Sequence, residues 1–224
     1  MKRIVIFSHG FGVAKDSAGL FTDIAQGLGS DVMPVLFDYN DFDDANRTMI
    51  VKPLSQQAAI LNDHLDQLRR DHPDTPISMV AHSQGCIVAA IAEPRGIDQA
   101  ILLAPAESFN VKRLEKAFTK RLRPERLSEG GIKLPRRDGS VILIPASFQP
   151  EVRLIDPPER YNHLATLTRT TLIRAAQDDI LGKHVDDSRL SSNVLIIKLD
   201  GNHNFTDTDD RQGLIRSIKH QLEV

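Results

Sequence analysis

The chain has no tryptophan, two tyrosines and one cysteine among 224 residues. With so few flat side chains, stacking platforms for single-stranded nucleic acid are not expected. A lone cysteine, Cys86, forms no internal disulfide and suits a reducing compartment. The net charge is −2, so no overall field favours nucleic acid or an anionic membrane surface. No run approaches the roughly 18 apolar residues of a membrane span. The opening "MKRIVIFSHG" holds a four-residue apolar run, Ile4 to Phe7, too short for a secretory signal. A cytoplasmic location is the expectation.

What remains is ordinary for a globular protein: 41 % hydrophobic and 26 % charged residues. The length suits one domain over residues 1–224, carrying an insertion at about 106–167. Short apolar runs alternate with helical periods. "RIVIF", "DVMPVLFDY", "ISMVA", "AILLA", "TTLIRAA" and "NVLIIKL" read as six strands. Pro34 lies within the second and cannot donate to a ladder, which places that strand at an edge. Between them, helices are expected from Asp16 or Ser17 to about Leu28, after Pro53, over "GCIVAAIAE", and from about Asp209 to Leu222. Leu54, Ala58, Leu61, Leu65 and Leu68 fall on one face of the second. The pattern predicts an α/β fold: a three-layer α/β/α sandwich around a mostly parallel six-stranded sheet. Between about Ala106 and Leu167 the rhythm breaks. A basic helix-like piece comes first. A hairpin turning at Asp138-Gly139 follows, with Ile132, Leu134, Val141 and Leu143 as the apolar positions expected to meet the core or a substrate.

Chemistry concentrates where strands end. In Ala81-His82-Ser83-Gln84-Gly85 a serine stands between a strand and a helix, flanked at two residues' distance by small side chains. A serine hydroxyl is a poor nucleophile unless exposed and given a base. A sharp strand-to-helix turn exposes it, and small neighbours relieve the crowding that such a turn creates. The helix start also aims backbone N–H groups at the reacting centre. "FSHGFG" ends the first strand, where a His-Gly turn can present a second N–H donor, and the donors are expected to be the N–H groups of Phe11 and Gln84. "AAQDD" after the fifth strand offers Asp178 and Asp179 as the acid. Asp179 is preferred because the small residue Ala176 precedes it by three, and Asp178 stays open as the alternative. "GNH" after the sixth strand offers His203 as the base. Of the eight histidines, only His203 has this strand-then-loop placement. The order Ser, Asp, His and the location at the carboxyl ends of parallel strands fit one site.

Together "HGFG", "AHSQG", "DD" and "GNH" resemble the α/β-hydrolase superfamily of serine hydrolases. The pairing of "HGF" with "HSQG", and a short hairpin-bearing insertion after the fourth strand, resembles its feruloyl or cinnamoyl esterase branch. One departure is Ala81, where the family usually has glycine. The resemblance implies Ser83 as nucleophile, His203 as base, Asp179 as acid and Phe11 and Gln84 as oxyanion donors. It implies cleavage of small-molecule carboxylic esters through an acyl-enzyme, with no cofactor and no metal. A small insertion leaves an open cleft, so short or aromatic acyl groups are expected. Two other readings compete. Lys112, Arg113, Lys116, Lys120, Arg121, Arg123 and Arg126 could hold the anionic carrier of an acyl thioester. A non-catalytic binding protein could also use this fold.

Overall fold

The computed structural model describes residues 3–106, 124–136, 138–182 and 186–224. Six strands form one sheet: β1 (Arg3–Ser8), β2 (Val32–Leu36), β5 (Ile77–His82), β6 (Gln99–Leu103), β10 (Arg169–Ala175) and β11 (Val194–Leu199). Their spatial order is β11-β10-β6-β5-β1-β2, and every neighbouring pair is parallel. The central strands β5 and β6 are buried along their whole length. They read as unbroken apolar runs because helices cover both faces. Pro34 does lie in the edge strand β2, where a missing N–H leaves no ladder incomplete on the free side.

Helices α1 (Leu20–Leu28) and α6 (Thr208–Leu222) cover one face, with Leu20, Phe21, Ile24, Leu214 and Ile218 in the core against Val5, Phe7 and Val80. Helices α2 (Leu54–Asp71), α3 (Gln84–Ala92) and α5 (Pro157–Leu167) cover the other, burying Leu61, Leu65, Ile87, Tyr161 and Leu164 against Ile4, Met79 and Leu102. The expected three layers are thus present. Helix α1 begins later than expected. Ser17, Ala18 and Gly19 take left-handed φ values of 51°, 55° and 88°, so the chain turns once more before the helix starts. The Ser17 side chain faces inward instead of capping.

A second sheet stands beside the first. It comprises β3 (Asp41–Asp43), β4 (Thr48–Ile50), β9 (Val141–Ile144), β8 (Ile132–Pro135) and β7 (Glu125–Arg126), in that spatial order. The hairpin of β8 and β9 is antiparallel, with Leu134 opposite Ile142 and Ile132 opposite Ile144. That register corrects the expected inward set. Ile142 and Ile144 are buried in β9, and Val141 and Leu143 face the other way. Pro135 pairs with Val141, which puts Ile142 on the Leu134 face. Strand β9 also pairs in parallel with β4, adding a segment that lies far away in the chain. Helix α4 (Phe148–Leu154) follows and packs against α2, with Ser55 Oγ donating to Glu151 at 2.8 Å. The basic helix-like piece expected at 110–127 lies outside the described residues as far as 123; of its cations only Arg126 is described, and it stands in the strand β7 instead of a helix. Among the described residues no helix is long and apolar enough to cross a membrane.

Candidate active site

Ser83 occupies the junction of β5 and α3 with φ 54° and ψ −121°, a region L-residues rarely enter. Two backbone bonds hold it there: its N–H donates to Leu103 O at 2.9 Å, and its carbonyl accepts from Cys86 N–H at 3.1 Å. The requirement for glycine at position 85 is steric and severe. A Cβ there would lie 2.1 Å from the Ser8 carbonyl oxygen and 2.7 Å from that of His9. Strand β1 therefore runs directly against the first turn of α3, and only a residue without a side chain fits between them.

His203 follows β11 in a short loop. Its Nε2 lies 2.9 Å from Ser83 Oγ, and its Nδ1 lies 2.8 Å from Asp178 Oδ2. The acid beside the imidazole is therefore Asp178, which corrects the preference for Asp179. The reason lies in the exit from β10. Ala176 and Gln177 continue the ladder, donating to Leu199 O at 2.8 Å and Gly201 O at 2.9 Å. The chain turns inward only at the next residue, so Asp178 is buried and Asp179 is exposed. Asp179 still touches the histidine, accepting from its backbone N–H at 3.3 Å. The second oxygen of Asp178 accepts from the N–H groups of Ile180 (2.9 Å) and Leu181 (2.6 Å). Burial alone would raise the Asp178 pKa. The His203 hydrogen bond and charge, together with the two backbone donors, outweigh it and hold the carboxyl below its usual range.

The loop after β1 crosses beside the serine. A Cβ on Gly10 would sit 3.3 Å from Ser83 Cβ. His9 is buried with both ring nitrogens engaged. Nε2 accepts from Tyr39 N–H at 3.1 Å, so Nδ1 carries the proton and donates to Gly10 O at 2.9 Å. The Gly10 carbonyl and the Phe11 N–H belong to one peptide plane, so pinning the first aims the second the opposite way. Burial lowers the His9 pKa and keeps the ring neutral. Gln84 begins α3, in the turn whose N–H groups lack helical acceptors. Its side chain is tied back, donating to Gln57 Oε1 at 3.1 Å, while Gln57 donates to Lys52 O at 2.7 Å.

The second sheet closes over this loop. Arg136 donates to the Gly12 carbonyl, Ile142 fills the space a side chain on Gly12 would need, and the Phe11 and Phe148 rings lie 5.8 Å apart. Beneath the serine, His82 Nε2 donates to the His203 carbonyl at 3.0 Å. Nothing in the motif marked His82, Arg136 or Gln57 for the site, since their partners lie far away in the chain. Among the described residues no group of three or more His, Cys, Asp or Glu is placed to hold a metal ion.

No curated protein matches the chain. Among solved structures, it is similar to Est1E from Butyrivibrio proteoclasticus (TM-score 0.66, 16 % identity, 99 % of this chain and 87 % of that one). Est1E with ferulic acid bound gives a TM-score of 0.68 at 15 % identity over 98 % and 88 %. The Pyrococcus furiosus esterase Pf2001 gives 0.67 at 16 % identity, covering 99 % and 80 %. At such identities the likeness is one of fold. A family model described as an alpha/beta hydrolase of unknown function, DUF900, matches residues 1–113, just over half of the sequence. With its parallel sheet, its serine turn and this match, the chain belongs to the DUF900 family of alpha/beta hydrolases.

Proposed function

We propose that this protein is a serine carboxylesterase that cleaves small-molecule esters of short or aromatic acyl groups. The observation that carries this reading is the unbroken line from Asp178 through His203 to Ser83, with separations of 2.8 and 2.9 Å. His203 takes the Ser83 proton through Nε2 as Oγ attacks the acyl carbon. Asp178 holds the Nδ1–H tautomer and stabilises the imidazolium that forms. The Phe11 and Gln84 N–H groups receive the oxyanion. His203 then passes its proton to the leaving alcohol, and water, activated by the same imidazole, releases the acid and restores Ser83.

The acyl preference rests on the cover of the site. Phe11, Phe148 and Ile142 stand together at the oxyanion loop, an apolar and partly aromatic wall. The test is a panel of acetyl, butyryl, cinnamoyl and long-chain esters, with matching thioesters, run beside a Ser83→Ala control. Turnover of short or aromatic oxygen esters that vanishes in the control is the expected result. Preference for thioesters of an anionic carrier would move the assignment to a thioesterase. Failure of the wild type to react with a fluorophosphonate probe would leave a binding protein on a hydrolase fold.

A further inference from the structure

We propose that His82 is a positioning residue for His203, locking the loop that carries the base to the strand that carries the nucleophile. The inference rests on the esterase reading and adds to it a residue outside the reacting line.

His203 is held at three points. Asp178 holds its ring at Nδ1 and Asp179 its backbone N–H, both from the loop after β10. Strand β10 is separated from β5 by β6. Anchors on that side alone would leave the separation of Ser83 and His203 at the mercy of small shifts between non-adjacent strands. His82 supplies the third anchor from β5 itself, one residue before the nucleophile, and it grips the His203 carbonyl at 3.0 Å.

The chemistry of the partners sets the proton arrangement. A carbonyl only accepts, so Nε2 of His82 carries the hydrogen. Nδ1 is left as an acceptor, and the Ser17 hydroxyl lies 3.3 Å away to fill it. Ser17 is buried and left-handed, at φ 51°. A residue in that conformation persists where its surroundings demand it. Ser17, His82 and His203 thus form a polar chain through the interior, from the turn ahead of α1 to the base loop. The rings of His82 and His203 lie 5.0 Å apart, and Phe21 meets His82 edge-on at 6.5 Å. A side chain needed only for bulk would leave one or both nitrogens unused.

Three substitutions separate positioning from packing. Gln places a donor near the Nε2 position, Asn is too short to reach the carbonyl, and Phe keeps the ring without either nitrogen. With a nitrophenyl acetate substrate, His82→Phe and His82→Asn are expected to lower kcat about 10- to 100-fold with KM nearly constant, as for a small misplacement of a reacting group. His82→Gln is expected to recover most of that loss. Ser17→Ala, which leaves the ring in place, should lower kcat without moving KM. Equal kcat for His82→Phe and wild type, or equal losses for Gln and Asn, would overturn the proposal. A second readout does not depend on turnover: the low-field Nδ1–H resonance of His203 should be sharp in wild type and His82→Gln and broadened in His82→Phe. An unchanged resonance in His82→Phe would overturn the inference. Should wild type hydrolyse no ester, the proposed function falls, and the resonance still decides the role of His82.

Discussion

Asp178 and Asp179, adjacent in the chain, hold the same histidine at different atoms: the first accepts from the ring at 2.8 Å, the second from the backbone N–H at 3.3 Å. One is buried and one exposed, so the two substitutions separate cleanly. Asp178→Asn should lower kcat by about 10⁴-fold, as expected when the base is held in the wrong tautomer. Asp179→Asn keeps a side chain of the same shape and should lose far less. Steady-state kinetics on a short ester decides it, and the reverse ranking would return the acid's role to Asp179.

Ser83 sits in a backbone conformation that strains any residue with a Cβ. Ser83→Gly should abolish turnover and raise thermal stability. Relief of roughly 1–3 kcal/mol of strain, less about 0.5–1 kcal/mol for added backbone freedom, leaves a net gain of about 1 kcal/mol. That corresponds to about 3 °C in Tm for a domain of this size. A lower Tm in calorimetry would show that the turn is unstrained.

Gly85→Ala should be among the most damaging single changes in the protein. The added Cβ meets a backbone oxygen at 2.1 Å, which no rotamer can relieve. Either β1 or the first turn of α3 must move, at about 3 kcal/mol or more. Urea unfolding of the purified variant measures it, and a midpoint equal to that of wild type would contradict the described approach of β1.

His82 and His9 make the fold sensitive to acid. Burial, reinforced by the nearby His203, pushes His82 down from 6.5 to about 3, and burial lowers His9 as well. In the unfolded chain these groups take up protons near pH 6.5, while the folded state refuses them. The stability they contribute is therefore fully present above about pH 6.5 and is lost as the pH falls towards the folded value. Urea midpoints at about pH 7 and about pH 5 should differ less for His82→Gln than for wild type. An equal difference would mean that His82 is protonated in the folded state.

The main sheet was legible because burial on both faces leaves unbroken apolar runs. "ISMVA" and "AILLA" need no partner to be recognised as interior strands. Strands β3 and β4 carry no such signal. "DFD" and "TMI" are three residues each, and what makes them strands is their pairing with each other and, for β4, with the distant β9. The serine, the histidine and the loop after β1 were legible because each follows a recognisable strand. Asp178 was not separable from Asp179, since the choice depends on two further ladder bonds at Ala176 and Gln177 that only the neighbouring strand reveals. His82 was hidden for the same reason. In sequence it is the unspecified residue of a motif, and its meaning lies in a carbonyl 121 positions away.

That separation has a consequence for synthesis. Ser83 and His203 lie 120 residues apart, and Asp178 also belongs to the later part of the chain. At about 5–20 residues per second, Ser83 leaves the ribosome about 6–24 s before His203. Throughout that interval Ser83 has no His203 imidazole within reach to take its proton. On the proposed esterase reading, a nascent or truncated chain ending before β11 carries the serine without its partner, and turnover waits for the last strand.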